Sequence, residues 1–247
     1  AEEMGLPVFL VQHHYAHILS CMAENEWTTE KRVIGVSFDG TGYGTDGTIW
    51  GGEILLADYD SFTRWGCIEP FAQTGGDASA KEGWRIAVSL LGKIYGKENA
   101  LLIIETLGLC ESKLAKLQFT MEERGINTVQ STSAGRLFDA VSAILDIRKS
   151  STFEGEASTS LQFAAEKWLD AQKKKIAGSE DFAESGIIAD YGELKSISDV
   201  AQKSVVEKNN SINRNIKADL YYLPTLSLVK ELAERKLAGE NSNQLAL

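Results

Sequence analysis

Histidine, proline and cysteine are scarce in this chain, with three of each among 247 residues. Cys21, Cys67 and Cys110 are odd in number and far apart, with no Cys-x-x-Cys pair. That excludes a disulfide framework and fits a reducing, cytoplasmic setting. Each thiol reads as a small buried hydrophobe. No apolar run approaches the roughly 20 residues that span a bilayer, and the first residues carry no signal-peptide pattern. Positive charge is also short: 25 Lys and Arg against 35 Asp and Glu leave a net charge of −10. The densest basic run, Lys173-Lys174-Lys175, reads as the cationic end of a helix. Nucleic acid is therefore excluded as a partner, because phosphate-backbone binding needs basic surface.

What is present is ordinary in bulk. A hydrophobic share of 43 % and a charged share of 24 % describe a globular chain able to form one large domain or two lobes. The histidines are not ordinary in placement. His13, His14 and His17 fall within five residues, in Val11-Gln12-His13-His14-Tyr15-Ala16-His17. On a helix, His13 and His17 share one face, a spacing that suits one divalent metal ion. His14 is offset by roughly 100° and makes a poor co-ligand.

A second dense signal follows. Residues 39–53, Asp39-Gly40-Thr41-Gly42-Tyr43-Gly44-Thr45-Asp46-Gly47-Thr48-Ile49-Trp50-Gly51-Gly52-Glu53, include six glycines. Glycine lets backbone N–H groups turn towards an anion. Asp39 suits a metal ion, a water or a nucleotide hydroxyl, and Thr41 and Thr45 suit phosphate oxygens. The dinucleotide fingerprint and the P-loop both fail here, since a strand follows where a helix is required. A phosphate-binding hairpin of the kind in actin-like folds fits better.

Pattern gives the remaining elements. Residues 7–11 read as a buried strand leading into a helix over 14–26. Strands are expected at 32–39, 49–58 and 62–68. Their connections are too short for crossovers, so they should be antiparallel neighbours. The glycine-rich stretch from Gly40 to Thr48 reads as the loop between the first two, and Gln73 to Asp77 as another loop. Residues 78–124 read as largely helical, with Ile86, Leu90, Leu91 and Ile94 on one face. Helices follow at 133–145, 157–176 and 225–238, with Thr225 as the cap of the last. Residues 178–218 are polar and ambiguous, with loops expected around Lys208 to Ser211 and Asn213 to Asn215. Trp84-Arg85 reads as a core residue beside a surface one rather than a cation–π pair. On pattern alone Asp139 is an exposed residue of a packed helix. Glu53 and Asp58 fall on opposite strand faces and do not form a glycosidase pair.

The histidine run and the Phe38–Glu53 segment resemble the C-terminal part of the HypF family, carbamoyltransferases that mature nickel–iron hydrogenases. Gly75-Gly76-Asp77, Glu82-x-Trp84-Arg85, Ser133-Ala134-Gly135-Arg136-Leu137-Phe138-Asp139-Ala140-Val141 and Phe153-Glu154-Gly155-Glu156-Ala157 extend the resemblance from about Gly5 to Ala165. It implies an α/β, actin-like (ASKHA) fold of ribonuclease-H-like lobes, with an antiparallel hairpin phosphate loop and added helices. Residues 1–130 would form a first lobe with the histidine motif and the glycine loop. Residues 131–247 would form a mainly helical segment and part of a second lobe.

The resemblance further implies transfer of a carbamoyl group from carbamoyl-adenylate to the C-terminal cysteine of HypE. Upstream domains would make that adenylate from carbamoyl phosphate and ATP. A divalent metal, iron or zinc, would sit on His13 and His17, with His13, His17 and Asp39 as the catalytic set. Asp39, Gly40, Thr41, Gly42, Tyr43 and Gly44 would hold phosphate, and Asp139, Glu154 and Gly155 the nucleoside.

The two ends read as cuts, one just after a helix turn at Gly5 and one on apolar Leu245-Ala246-Leu247. A strand before Gly5, and a glycine-rich segment with a further aspartate after Leu247, are expected by the same resemblance. Rival readings are a non-catalytic actin-like nucleotide module that docks partners, an O-carbamoyltransferase, and a nucleotide-dependent hydrolase or sugar kinase of the same fold.

Overall fold

The histidine run starts a helix where the sequence places it, because the Gln12 side chain satisfies the free Tyr15 N–H at its N-terminus. The structure is a computed structural model that describes residues 2–28, 31–177 and 220–246. Its contacts form two compact units, residues 1–165 with 220–247, and residues 166–219. The first unit holds the sheet and the candidate site. Of the second, only the continuation of one helix is described. The ambiguous region 178–218, with its expected loops, lies outside the described residues.

After a short 3-10 turn, Glu2–Met4, come helix α1 (His13–Glu24) and strands β1 (Val33–Tyr43), β2 (Ile49–Ala57), β3 (Phe62–Ile68) and β4 (Phe71–Thr74). Helices α2 (Ala78–Lys81), α3 (Gly83–Tyr95), α4 (Lys97–Thr106) and α5 (Ser112–Glu123) follow. Then come β5 (Thr128–Ser131), α6 (Ala134–Ile144), α7 (Glu156–Ala177), β6 (Tyr221–Leu223), α8 (Thr225–Leu237) and α9 (Ser242–Leu245).

The strands make one mixed sheet in the order β4-β5-β2-β3-β6, with β1 also paired to β2. As expected, β1–β2 and β2–β3 are antiparallel. The strands β5 and β6, which pattern missed, run parallel to β2 and β3.

One core lies between the sheet and the helices. Ile86, Leu90 and Leu91 of α3 are fully buried against Phe71, Ile104, Ala140, Ile144 and Leu145. Burying such side chains stabilises by roughly 1.5–3 kcal/mol each. A second core joins α1 to the hairpin through Tyr15, Ile18, Met22, Trp50, Leu55 and Ala57.

Several expectations are corrected. Residues 7–11 are not a buried strand: Phe9 and Leu10 are 85 % and 97 % exposed, and no described strand pairs with them. An apolar run becomes a strand only where a neighbour takes its backbone hydrogen bonds. The Gly40–Thr48 loop is shorter than expected, because Gly42 and Tyr43 pair again with Trp50 and Ile49. Gln73 and Thr74 belong to β4 rather than to a loop, since Val129 and Thr128 of β5 lie opposite them.

Thr225 is not the cap of α8. It lies inside the helix after Pro224, and the distant Glu69 carboxylate accepts the Leu226 N–H at 2.8 Å. The Arg85 guanidinium does stack on Trp84, 4.5 Å from the ring centroid. Of the three thiols only Cys67 is fully buried, while Cys21 is exposed.

Candidate functional site

The site grows from an irregularity in β1. Phe38 pairs with Gly52 and Gly42 with Trp50, so Asp39, Gly40 and Thr41 face the single residue Gly51. The surplus residues form a bulge, a device that re-aims a side chain beside a functional site. Here it turns Asp39 towards α1. A Cβ on Gly51 would lie 2.5 Å from the Asp39 carbonyl oxygen, so only glycine fits beneath the bulge.

His13 and His17, one helical turn apart, meet Asp39 there. His13 Nε2 is 2.7 Å from Asp39 Oδ2 and 3.2 Å from His17 Nε2, and His17 Nε2 is 3.6 Å from the same Oδ2. The two imidazole side chains are about half exposed, so one side of the cluster opens to solvent. Burial opposes ionisation of Asp39, but hydrogen bonds from His13 and the Gly40 N–H outweigh it and hold its carboxyl below the usual range.

The donor set fits a divalent ion. Tetrahedral zinc with nitrogen and oxygen ligands at 2.0–2.1 Å places neighbouring donors roughly 3.3 Å apart, and the three separations here bracket that value. Two imidazoles, one carboxylate and an open side form the pattern of a catalytic rather than a closed structural site.

His14 is not part of this cluster, although its ring lies edge-on beside His13. It is fully buried, and burial lowers its pKa, which favours the neutral ring. Gly42 makes room for it, because a Cβ there would run into both His13 and His14.

The other face of the bulge opens on a cavity of about 280 Å³. Asp39, Gly40 and Thr41 line one side; Lys81, Arg136 and Glu154 supply the remaining charges. The N-terminus of α6 packs against the bulge. Ser133 Oγ donates to the Gly40 carbonyl at 2.6 Å and accepts the Arg136 N–H at 3.0 Å, capping α6. A Cβ on Gly135 would lie 2.9 Å from Gly40 Cα. Arg136 reaches back to the Ala80 carbonyl at 2.6 Å and pairs with Asp139 at 3.1 Å. Asp139 is buried rather than exposed, and burial raises its pKa against the pull of Arg136.

The hairpin below is pinned by charge. Arg64 Nε is 2.7 Å from the fully buried Glu53, and its Nη1 is 2.9 Å from Asp46. The same guanidinium lies 4.1 Å over the Trp50 ring.

Of the residues singled out in the sequence, His13, His17 and Asp39 form one cluster, and Asp39, Gly40, Thr41 and Glu154 share one cavity. Gly42 packs under the imidazoles and Gly44 against Trp50. The Tyr43 side chain is 91 % exposed, and Gly155 takes a positive φ of 76° just before α7. Asp139 is one ion pair behind the cavity wall. Sequence reasoning missed Lys81 and Arg136. Arg136 stood in a quoted motif, yet only its burial at the cavity wall marks it out.

Comparison with known proteins follows the same residues. The family description "Carbamoyltransferase, Kae1-like Domain, second subdomain" matches residues 35–220, and "HypF Kae1-like domain" matches residues 1–24. The chain is 40 % identical over 176 residues to a carbamoyltransferase HypF of Rhodobacter capsulatus, covering 67 % of this chain and 22 % of the relative. It is 38 % identical over 168 residues to a probable carbamoyltransferase HypF of Methanocaldococcus jannaschii, covering 68 % of this chain and 22 % of the relative. The chain thus spans about a fifth of the length of these relatives.

Its fold superposes on a crystal structure of full-length HypF in a phosphate- and nucleotide-bound form with a TM-score of 0.70. That pair is 28 % identical, covering 98 % of this chain and 26 % of the other. A second HypF structure, from T. kodakarensis, shares the fold with a TM-score of 0.67. The mixed sheet and its helices are the Kae1-like, ASKHA architecture that the motifs implied.

Proposed function

The chain belongs to the HypF carbamoyltransferase family, and from that premise we propose that it is the part that transfers a carbamoyl group from carbamoyl-adenylate to an acceptor thiol. The observation that carries this reading is the double role of Asp39. Its carboxylate touches the imidazole pair, and its residue lines the cavity that Glu154, Lys81 and Arg136 share. In an acyl-phosphate linkage the carbonyl carbon and the phosphorus are joined through one oxygen, so the groups that polarise the one and cradle the other must be neighbours.

In this reading His13, His17 and Asp39 hold a divalent metal ion, iron or zinc. That ion would supply Lewis acidity towards a carbonyl or phosphate oxygen. The backbone of the bulge and the guanidinium of Arg136 face the phosphate, and Glu154 takes a ribose hydroxyl. Asp139 keeps Arg136 in place, and the packed α6 terminus excludes water from that wall.

The thiolate sulfur of the acceptor attacks the carbamoyl carbon. A C–S bond forms, the bond from that carbon to the phosphate oxygen breaks, and AMP leaves with the electron pair. The acceptor is the C-terminal cysteine of HypE, and other domains of the full-length protein turn carbamoyl phosphate and ATP into the carbamoyl-adenylate that reaches the site. The nucleophile comes from the partner, so no activated cysteine is required here. Burial pushes the Cys67 thiol up to about 11, which suits a packing role for that residue.

The test is to incubate the full-length protein with carbamoyl phosphate, ATP and HypE and to weigh HypE. A mass gain of one carbamoyl group on its terminal cysteine is expected, and His17→Ala should abolish it. No gain with the parent overturns the transferase reading. Undiminished transfer by the variant removes the role of His17.

A further inference from the structure

One side chain ties the first turn of α1 to β1, and neither the metal ligands nor the cavity includes it. Gln12 Oε1 accepts the Tyr15 N–H at 2.9 Å, while its Nε2 donates to the Tyr43 carbonyl at 3.0 Å and lies 3.1 Å from His14 Nδ1. A backbone N–H only donates and a backbone carbonyl only accepts, so the two ends of this amide cannot be exchanged. The second Nε2 hydrogen then points to His14 Nδ1, which must offer a lone pair. His14 therefore carries its proton on Nε2, an atom buried with no hydrogen-bond partner among the described residues. The His14 ring stands edge-on to His13, with centroids 5.2 Å apart.

The metal cluster draws two ligands from α1 and one from β1, so it depends on the spacing of those two elements. Beside the contacts of the ligands themselves, Gln12 is a further polar link between the two elements at that level. We infer that Gln12 is a positioning residue for the His13–His17–Asp39 cluster. It fixes the helix-to-strand distance and sets the tautomer of the buried imidazole behind His13. This inference rests on the metal reading above.

The substitution Gln12→Glu separates this role from helix capping. A carboxylate still accepts the Tyr15 N–H, and negative charge suits a helix N-terminus. It has no hydrogen for the Tyr43 carbonyl or for His14 Nδ1. In the 247-residue chain, Co2+ binding followed by visible absorption should weaken at least tenfold, the scale of losses from residues that orient metal ligands. Nitrogen-15 shifts of His14 should show the proton on Nε2 in the parent and on Nδ1 in the variant, while the thermal midpoint stays near that of the parent.

Gln12→Asn keeps the cap but is one methylene short of Tyr43. The same loss of Co2+ affinity is expected, which covers a failure of the first variant to fold. Parent-like Co2+ affinity in both variants, or a parent His14 protonated on Nδ1, would overturn the inference alone. A parent that binds no Co2+ would remove the metal reading, and this inference with it.

Discussion

His13 Nε2 lies 2.7 Å from Asp39 Oδ2, so a side chain from the first turn of α1 meets one re-aimed by the bulge in β1, 26 residues further along the chain. The contact joins a helix and a strand that share no local sequence signal. The consequences of this contact can be measured.

The first is metal binding. The chain should bind one divalent ion, read by titration calorimetry or Co2+ absorption. His13→Ala, His17→Ala and Asp39→Asn should each weaken it by about 100-fold or more, the upper range for losing groups around a metal. Equal binding by parent and variants would move the ion elsewhere.

Gly42→Ala probes the crowding beneath the imidazoles. The added methyl would press on His13 and His14 at once. Overpacking of this kind costs about 1–3 kcal/mol, so the urea midpoint should fall. Metal affinity should fall as well, because His13 is among the groups displaced.

The acid limb of stability should report Asp58. It accepts hydrogen bonds from Arg32 and from the N–H groups of Asp60 and Ser61, which hold its carboxyl down from 3.8 to about 2. Its pKa is lower in the folded state, so its contribution is present in full above pH 3.8 and is lost as pH falls through about 2. Urea midpoints between pH 5 and 2 should fall less steeply for Asp58→Asn than for the parent. Parallel slopes would show that the carboxylate is not linked to folding.

Thiol reactivity should separate the cysteines. Cys21 is exposed on α1, whereas Cys67 is fully buried in β3 with its pKa pushed up to about 11. A disulfide reagent at neutral pH should label Cys21 in the folded chain and Cys67 only after denaturation.

Much of the architecture was legible where the signal is local and repeated. The period of Ile86, Leu90 and Leu91 predicts a buried face on α3, and all three are fully buried. Ser133 reads as a cap candidate and does cap α6. The strands that pattern missed, β4, β5 and β6, are three or four residues long, too short to show an alternation. The partner strands that hold them lie up to 155 residues away in sequence, as with Gly66 opposite Tyr221. The run at 7–11 fails in the opposite sense: its composition suits a strand, but composition supplies no neighbour.

The candidate site divides in the same way. By itself the sequence determined that His13 and His17 share a face, because helix geometry repeats every 3.6 residues whatever surrounds it. It also determined that the backbone near Gly40, Gly42 and Gly51 must be approached closely, since glycine is the residue that tolerates it. Only the tertiary structure decided that Asp39 completes the imidazole cluster, that Asp139 is buried against Arg136, and that Lys81, Arg136 and Glu154 face one cavity. These relationships depend on how α1, α6 and the β1 bulge pack together. Packing is set by the sum of many non-local contacts, which no single stretch of residues encodes.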